Sequence, residues 1–203
     1  DLFEYWIGDD DTSPTHAEVI ASLAALSGSG VPLFVMRGNR DFLLGRRFER
    51  MSGAHLLDDP TRIELYGRPT LLMHGDSLCT QDLAYQRYKR RVRNPLVTGL
   101  FLAMPHSARR RIVEWLRRGS RDAMRHKPEA IMDVDPGAVA QCFDTHDVAQ
   151  IVHGHTHRPG VHDLHCAGRN VQRIVLGDWY ETDSVLVCSG GQQRLSRVQD
   201  CLR

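Results

Sequence analysis

The residues His153 to Pro159 read His-Gly-His-Thr-His-Arg-Pro, and the largely apolar run Val148 to Val152 leads straight into them. Such a run predicts a buried strand that spills its histidines into a loop at the edge of a sheet. This feature constrains the fold most, because α/β proteins gather their chemistry where strands end. Taken alone, any of the 11 histidines is more often a hydrogen-bonded bystander than a ligand. Three within five residues are poor core material and suit a grip on metal ions. Neutral imidazole is the commonest transition-metal ligand, and Gly154 lets the backbone aim its neighbours at one point.

The pattern recurs upstream. Val31 to Met36 predicts a buried strand ending in Arg37-Gly38-Asn39-Arg40-Asp41. Ile63 to Tyr66 and Thr70 to Met73 predict a hairpin around Gly67-Arg68-Pro69, whose second strand delivers His74-Gly75-Asp76. By itself Gly-Asn-Arg-Asp is better explained as a glycine turn with a local Arg/Asp pair. Beside two other strand ends bearing ligand types, Asn39, Asp41, His74, Asp76 and the histidine run read as one convergent site. An acidic turn, Gly8 to Asp11, precedes a helix predicted from Pro14 to about Leu26 with Ser13 before it as the N-terminal signal. Pro136 opens another helix to about His146, and Ile174 to Leu176 and Ser184 to Cys188 read as closing strands. Strands alternating with helices, then paired strands, predict an α/β domain with a mixed sheet system.

At 203 residues and 41% hydrophobic content the chain can bury a core. No stretch approaches the roughly 18 to 20 apolar residues that span a bilayer, and no signal peptide opens the chain, so a cytosolic or peripheral protein is expected. Five cysteines, an odd number with no Cys-x-x-Cys pair, predict reduced thiols and neither a disulfide framework nor a zinc finger. The net charge of +1 conceals an asymmetry: between Gln81 and Lys127, 13 Lys or Arg stand against three acids. From Leu83 the periodicity turns helical, which predicts a basic helical insertion, residues 80–130, attracting phosphate, anionic lipid or nucleic acid. Within it, Pro95 to Pro105 encloses Leu96, Val97, Leu100, Phe101, Leu102 and Met104. That segment suits a helix lying on a membrane between cationic flanks, or equally one packed on the protein body.

Imidazole, carboxylate and an Asn carbonyl form a nitrogen and oxygen ligand set without thiolate, which suits manganese, iron or zinc. Candidates from several loops suggest two ions about 3.5 to 4 Å apart, the arrangement that activates water and clamps a phosphoryl oxygen. Arg40, next to Asn39, would offer a planar fork to phosphate. The chemistry implied is metal-assisted hydrolysis of a phosphoester or phosphoanhydride.

Gly-Asn-Arg-Asp at 38–41, His-Gly-Asp at 74–76 and Gly-His-Thr-His at 154–157, in this order, resemble the signatures of the calcineurin-like metallophosphoesterases. The opening DLFEYWIGDDD, the string GNRDFLLGRRF, MHGDSLCTQD, AIMDV and HGHTHRP together resemble, more specifically, the UDP-2,3-diacylglucosamine diphosphatase family of lipid A biosynthesis, from residue 1 to about 180. The resemblance implies an α/β fold, the four-layer αββα sandwich of that superfamily, with the basic helical insertion as a lid on one domain spanning 1–203. It implies that Asp1 bridges two Mn2+ ions, that Asn39, His74 and His155 complete one site, and that His157 serves the other. Asp1, Asn39, Arg40 and His155 would be catalytic. Asn39, Arg40 and His155 would also meet substrate phosphate, and Asp82, Ser120 and Lys127 would contact the glucosamine or nucleotide portion. Met124 stands where an Asn is usual in the family, and His153 carries no metal role in its pattern, so three candidate histidines contract to two.

The family's first motif, an Asp-x-His on the first strand, is absent here, and the chain starts without Met at the Asp that would follow the motif glycine. Read this way the sequence is truncated, and one metal keeps only Asp1 and His157 from protein. The expected reaction splits UDP-2,3-diacylglucosamine into UMP and 2,3-diacylglucosamine 1-phosphate on the cytoplasmic face of the inner membrane, with the insertion against acyl chains and the anionic surface. A general metallophosphodiesterase or nuclease is the first rival. Tyr85, Tyr88, Phe101 and Trp115 are few for a base-stacking platform, so no nucleic-acid partner is expected. A second rival is an inactive lipid-binding protein that docks on membranes.

Overall fold

The structure, a computed structural model, describes residues 1–11, 13–125, 133–166, 168–179 and 182–201, with the backbone alone for 120–125. It divides into two compact units, Asp1–Asp58 with Leu83–Pro128 and Asp59–Asp82 with Glu129–Arg203.

In the first unit, α1 (Pro14–Gly28) starts where Pro14 predicts but runs past Leu26. Ser13 occupies the N-cap position without capping: its side chain bonds no helix N–H, and its own backbone N–H goes to Asp11 Oδ1 at 3.0 Å. The strand expected from Val31 shrinks to β1 (Phe34–Met36), because Pro32 has no N–H to give a ladder. β1 pairs in parallel with β2 (His55–Leu57), and α2 (Arg46–Ser52) supplies the crossover. The N-cap of α2, Gly45, has no side chain to offer, so Asp9 serves from a distance: its carboxylate accepts from Gly45 N and Arg47 N, both at 2.9 Å, and from Phe48 N at 3.2 Å. Phe3, Trp6, Ile20, Leu44, Phe48 and Ala54 form the core of this unit. Full burial of side chains such as Leu44 and Phe48 stabilises by about 1.5–3 kcal/mol each.

The basic stretch continues this unit as α3 (Leu83–Val92), α4 (Pro95–Leu102) and α5 (His106–Arg125). Asn94 caps α4 through Leu96 N at 2.9 Å. Leu96 and Leu100 of α4 are 84% and 67% exposed. Arg109 anchors the start of α5 by donating to Ile7 O at 2.6 Å, Met104 O at 3.1 Å and both carboxylate oxygens of Asp10. Among the described residues no helix is long and apolar enough to cross a membrane.

The second unit is built on a five-stranded sheet in the order β3-β4-β5-β7-β6. β3 (Thr61–Leu65) and β4 (Arg68–Met73) form the expected hairpin with a tighter turn than the sequence suggests. Tyr66 and Gly67, both at positive φ (51° and 77°), make a two-residue turn whose twist matches the strands, so Arg68 and Pro69 already belong to β4. After α6 (Pro136–His146), capped by Asp135 through Ala138 N, come β5 (Gln150–His153), β6 (Gly160–Cys166) and β7 (Arg169–Val175). β7 is longer than the Ile174 to Leu176 strand expected. β4, β5 and β7 run parallel, with Met73, His153 and Val175 in one row across the sheet. The loops that follow these three strands therefore leave from one edge. Leu71, Met73, Leu78, Val139, Phe143, Val148, Ile151 and Val171 fill the core beneath. β8 (Ser184–Ser189) and β9 (Gln192–Arg197) form a separate antiparallel pair, and α7 (Val198–Cys201) closes the described chain. The five cysteines are free thiols.

Candidate metal site

At the shared edge, His74 follows β4, and its backbone N–H is held by Asp59 Oδ1 at 3.0 Å. Gly75 next to it adopts φ +109°, and a Cβ there would lie 2.8 Å from His153 Nδ1, so only glycine fits. Gly154 N donates to His74 O at 3.0 Å, which draws the β5 loop beside the β4 loop. His74 Nε2 and His155 Nδ1 then face each other at 3.2 Å, with ring planes 70° apart. Two nitrogens each about 2.1 Å from one ion, on adjacent coordination positions, sit about 3 Å apart. The pair fits two such positions, and an ion between them would displace the proton they share.

His155 and His157 both sit at positive φ, +68° and +53°. For a residue other than glycine that conformation costs on the order of 1–3 kcal/mol and clusters at functional sites. His153 differs. It ends β5 almost fully buried, with Nδ1 2.9 Å from Gly154 O and Nε2 3.2 Å from Arg173 Nη1. The carbonyl requires a proton on Nδ1, and the guanidinium takes the lone pair on Nε2. Burial, helped by the Arg173 charge, lowers its pKa to about 4. With both nitrogens engaged, His153 supports the strand end and has no lone pair for a metal.

His157 Nδ1 lies 3.1 Å from Asp178 Oδ2, in the loop that follows β7. Asp178 was not among the residues the sequence reading singled out, and neither was Asp59. A usable signal existed for Asp178: Val175-Leu176-Gly177-Asp178 repeats the pattern of an apolar run, a glycine and a polar ligand type that marks the other strand ends, and matches His74-Gly75-Asp76 in placing an acid after the glycine.

In the first unit, the loop after β1 carries Asn39 and Arg40. Arg40 N donates to Asp1 Oδ1 at 2.9 Å, its Nε lies 3.7 Å from Asp1 Oδ2, and its Nη1 reaches Glu4 Oε1 at 3.1 Å. Asn39 sits half-buried between buried Gly38 and exposed Arg40. Asp1 approaches Gly38 so closely that a Cβ there would fall 2.5 Å from the Asp1 backbone nitrogen. Asp41, a ligand type in the sequence reading, is completely buried, and its carboxylate accepts from Leu2 N at 2.6 Å, Phe3 N at 3.3 Å and Gly38 N at 2.7 Å. It fastens the first residues to the loop that holds Asn39.

Asp82 is half-buried just before α3. The side chain of Ser120, that of Met124, and Lys127 lie outside the described residues. Among the described residues, no three His, Cys, Asp or Glu side chains form a group that could hold an ion by themselves. The structure thus brings together Asp1 with Arg40, His74 with His155, and His157 with Asp178.

Residues 1–159 match the family described as calcineurin-like phosphoesterase. Over 97% of its length the chain is 50% identical to the UDP-2,3-diacylglucosamine hydrolase of Aeromonas hydrophila subsp. hydrophila, 82% of which it covers. Proteins of the same name from Serratia proteamaculans and Nitrosococcus oceani are each 49% identical over 93% of this chain, which covers 79% and 76% of them. Histidine-bearing loops at one sheet edge and identity at this level over nearly the whole chain agree: the chain belongs to the calcineurin-like phosphoesterase family, in its UDP-2,3-diacylglucosamine hydrolase branch.

Proposed function

We propose that the protein hydrolyses the pyrophosphate bond of UDP-2,3-diacylglucosamine, releasing UMP and 2,3-diacylglucosamine 1-phosphate in lipid A biosynthesis. The observation that carries this reading is the His74 and His155 nitrogen pair at 3.2 Å, on loops leaving the parallel strands of a chain whose relatives bear that activity in their names. Two divalent ions, assigned as Mn2+, would supply Lewis acidity toward phosphoryl oxygens. By family resemblance Asp1, Asn39, His74 and His155 are assigned to one and Asp1 with His157 to the other. Arg40, already tied to Asp1 and Glu4, would meet substrate phosphate by giving up its Glu4 contact, a surface ion pair worth about 0–1 kcal/mol. Asp82, Ser120 and Lys127 are assigned to the sugar or nucleotide portion by family resemblance.

Residues 80–130 would act as a lid over the acyl chains. The apolar side chains of α4 stand beside Arg87, Arg90 and Arg91 of α3 around an open hollow of about 580 Å³. Apolar surface rimmed by cations suits acyl chains under a phosphate, and also the cytoplasmic face of an anionic inner membrane, where the protein would bind peripherally. The test is UMP release by the full chain with Mn2+, from UDP-2,3-diacylglucosamine and from an aryl phosphodiester in parallel. Rapid cleavage of the aryl ester with no UMP from the lipid nucleotide would replace this reading with a general phosphodiesterase.

A further inference from the structure

His157 and Asp178 raise a question that ligand assignment alone leaves open, namely which nitrogen of His157 carries the proton. A carboxylate only accepts hydrogen bonds, so the imidazole nitrogen facing Asp178 Oδ2 at 3.1 Å must be N–H. That nitrogen is Nδ1. In a neutral ring the lone pair is then on Nε2, at the opposite corner from the carboxylate.

Asp178 is built to hold this arrangement. Its side chain is only 13% exposed, against 38% for His157. Its second oxygen, Oδ1, accepts from Thr182 N at 2.9 Å, while Asp178 O accepts from Thr182 Oγ1 at 2.8 Å and from Ser184 N at 3.2 Å. Gly177 makes room for that closure, since a Cβ there would lie 2.0 Å from Thr182 Oγ1. The loop is also tied to the strand that delivers the histidines: Leu176 N donates to His153 O at 2.7 Å. The carboxylate is therefore fixed by backbone on one side and aimed at His157 on the other. His157 has a strained backbone, φ +53°, that sets its ring against that carboxylate.

We propose that Asp178 is a positioning residue: its carboxylate holds His157 as the Nδ1–H tautomer and presents Nε2 as a ligand for a divalent cation. The role for the cation rests on the metallohydrolase reading above, whereas the tautomer does not. Outer carboxylates of this kind fix the orientation of a ligating imidazole and raise its basicity, and losing one typically lowers metal affinity about 10- to 100-fold.

Two measurements on the full chain test it. Nitrogen-15 shifts of the His157 ring in metal-free wild type should report a protonated Nδ1 and a bare Nε2. A neutral wild-type ring that is bare on Nδ1 and protonated on Nε2 overturns the proposal without need of any variant. Calorimetric titration with Mn2+ should then show Asp178→Asn losing about 10- to 100-fold in affinity at the His157 site, with a mixed tautomer, and Asp178→Glu recovering part of the loss. Unchanged Mn2+ affinity and an unchanged tautomer in Asp178→Asn overturn it as well. Wild type that takes up no Mn2+ overturns the cation half and the metallohydrolase reading together, and the ring measurement still decides whether Asp178 sets the tautomer.

Discussion

Replacing Arg109 with Met should destabilise the first unit by about 2–4 kcal/mol, and the asymmetry with its partner Asp10 makes the reasoning testable. Arg109 is 2% exposed and donates to two backbone carbonyls, Ile7 O and Met104 O, besides Asp10. Methionine keeps most of the packed stem but leaves the buried Ile7 carbonyl and the part-buried Met104 carbonyl without that donor, at about 1–3 kcal/mol for a fully buried group and less for the other. The Asp10 side chain is 51% exposed, so on losing Arg109 its carboxylate turns to water and adds little. Asp10→Asn keeps one acceptor oxygen for the guanidinium and leaves both carbonyl bonds in place, so it should cost about 1 kcal/mol, less than Arg109→Met. In a chain of this size the Arg109→Met loss corresponds to about 5–12 °C in Tm. Urea unfolding followed by the fluorescence of Trp6, buried in the same unit, reads the effect directly. The hydrogen bond from Arg109 holds the Asp10 carboxyl below its ordinary value of 3.8. A depressed carboxylate contributes stability above its unfolded pKa, so the gap between wild type and Asp10→Asn should be flat from pH 5 to 8. It should close only below about pH 3.8, as Asp10 protonates. Equal losses for the two single variants, or an Arg109→Met loss under about 1 kcal/mol, would show that the ion pair and not the orphaned carbonyls governs this corner.

His153 is kept neutral by burial with a pKa of about 4 against 6.5 when free, so its contribution is complete above pH 6.5 and is lost as the pH falls toward 4. That loss reaches about 3 kcal/mol, and unfolding free energies of His153→Gln should fall less steeply over the same window. Asp41→Asn leaves one of its three backbone donors facing an NH2 group; it should cost about 2 kcal/mol and lower kcat more than KM, because the Asp1 and Arg40 geometry depends on that anchor. Unchanged kcat in a folded Asp41→Asn protein would separate the anchor from catalysis. Glutamates at both Leu96 and Leu100 should abolish sedimentation with anionic vesicles and raise KM for the diacyl substrate, while an aryl phosphodiester is cleaved as before.

What the sequence revealed, and what it hid, follows from how far apart the interacting residues lie. The three candidate strand ends were legible because each is local: an apolar run, a glycine that lets the chain turn, and a polar side chain just beyond. β6 and β9, with sequences GVHDLHC and QQRLSR, carry no run of apolar residues and owe their extended form to pairing with β7 and β8. The residues Gly8 to Asp11 read only as an acidic turn, yet Asp9 caps a helix 36 residues away and Asp10 meets an arginine 99 residues away. Charge composition could not separate those duties, since a carboxylate that caps, one that pairs and one that is merely wet look alike in a string. Asp178 is the instructive case. Its local pattern matches the other strand ends, but Ile174 to Leu176 read as a closing strand and not as a fourth strand that delivers polar residues to the edge. Only the register of β5 against β7 brings its loop to the edge that His157 occupies. An acid after a glycine at the carboxyl end of a parallel strand can therefore be the partner of a histidine on the neighbouring strand's loop, as Asp178 is of His157.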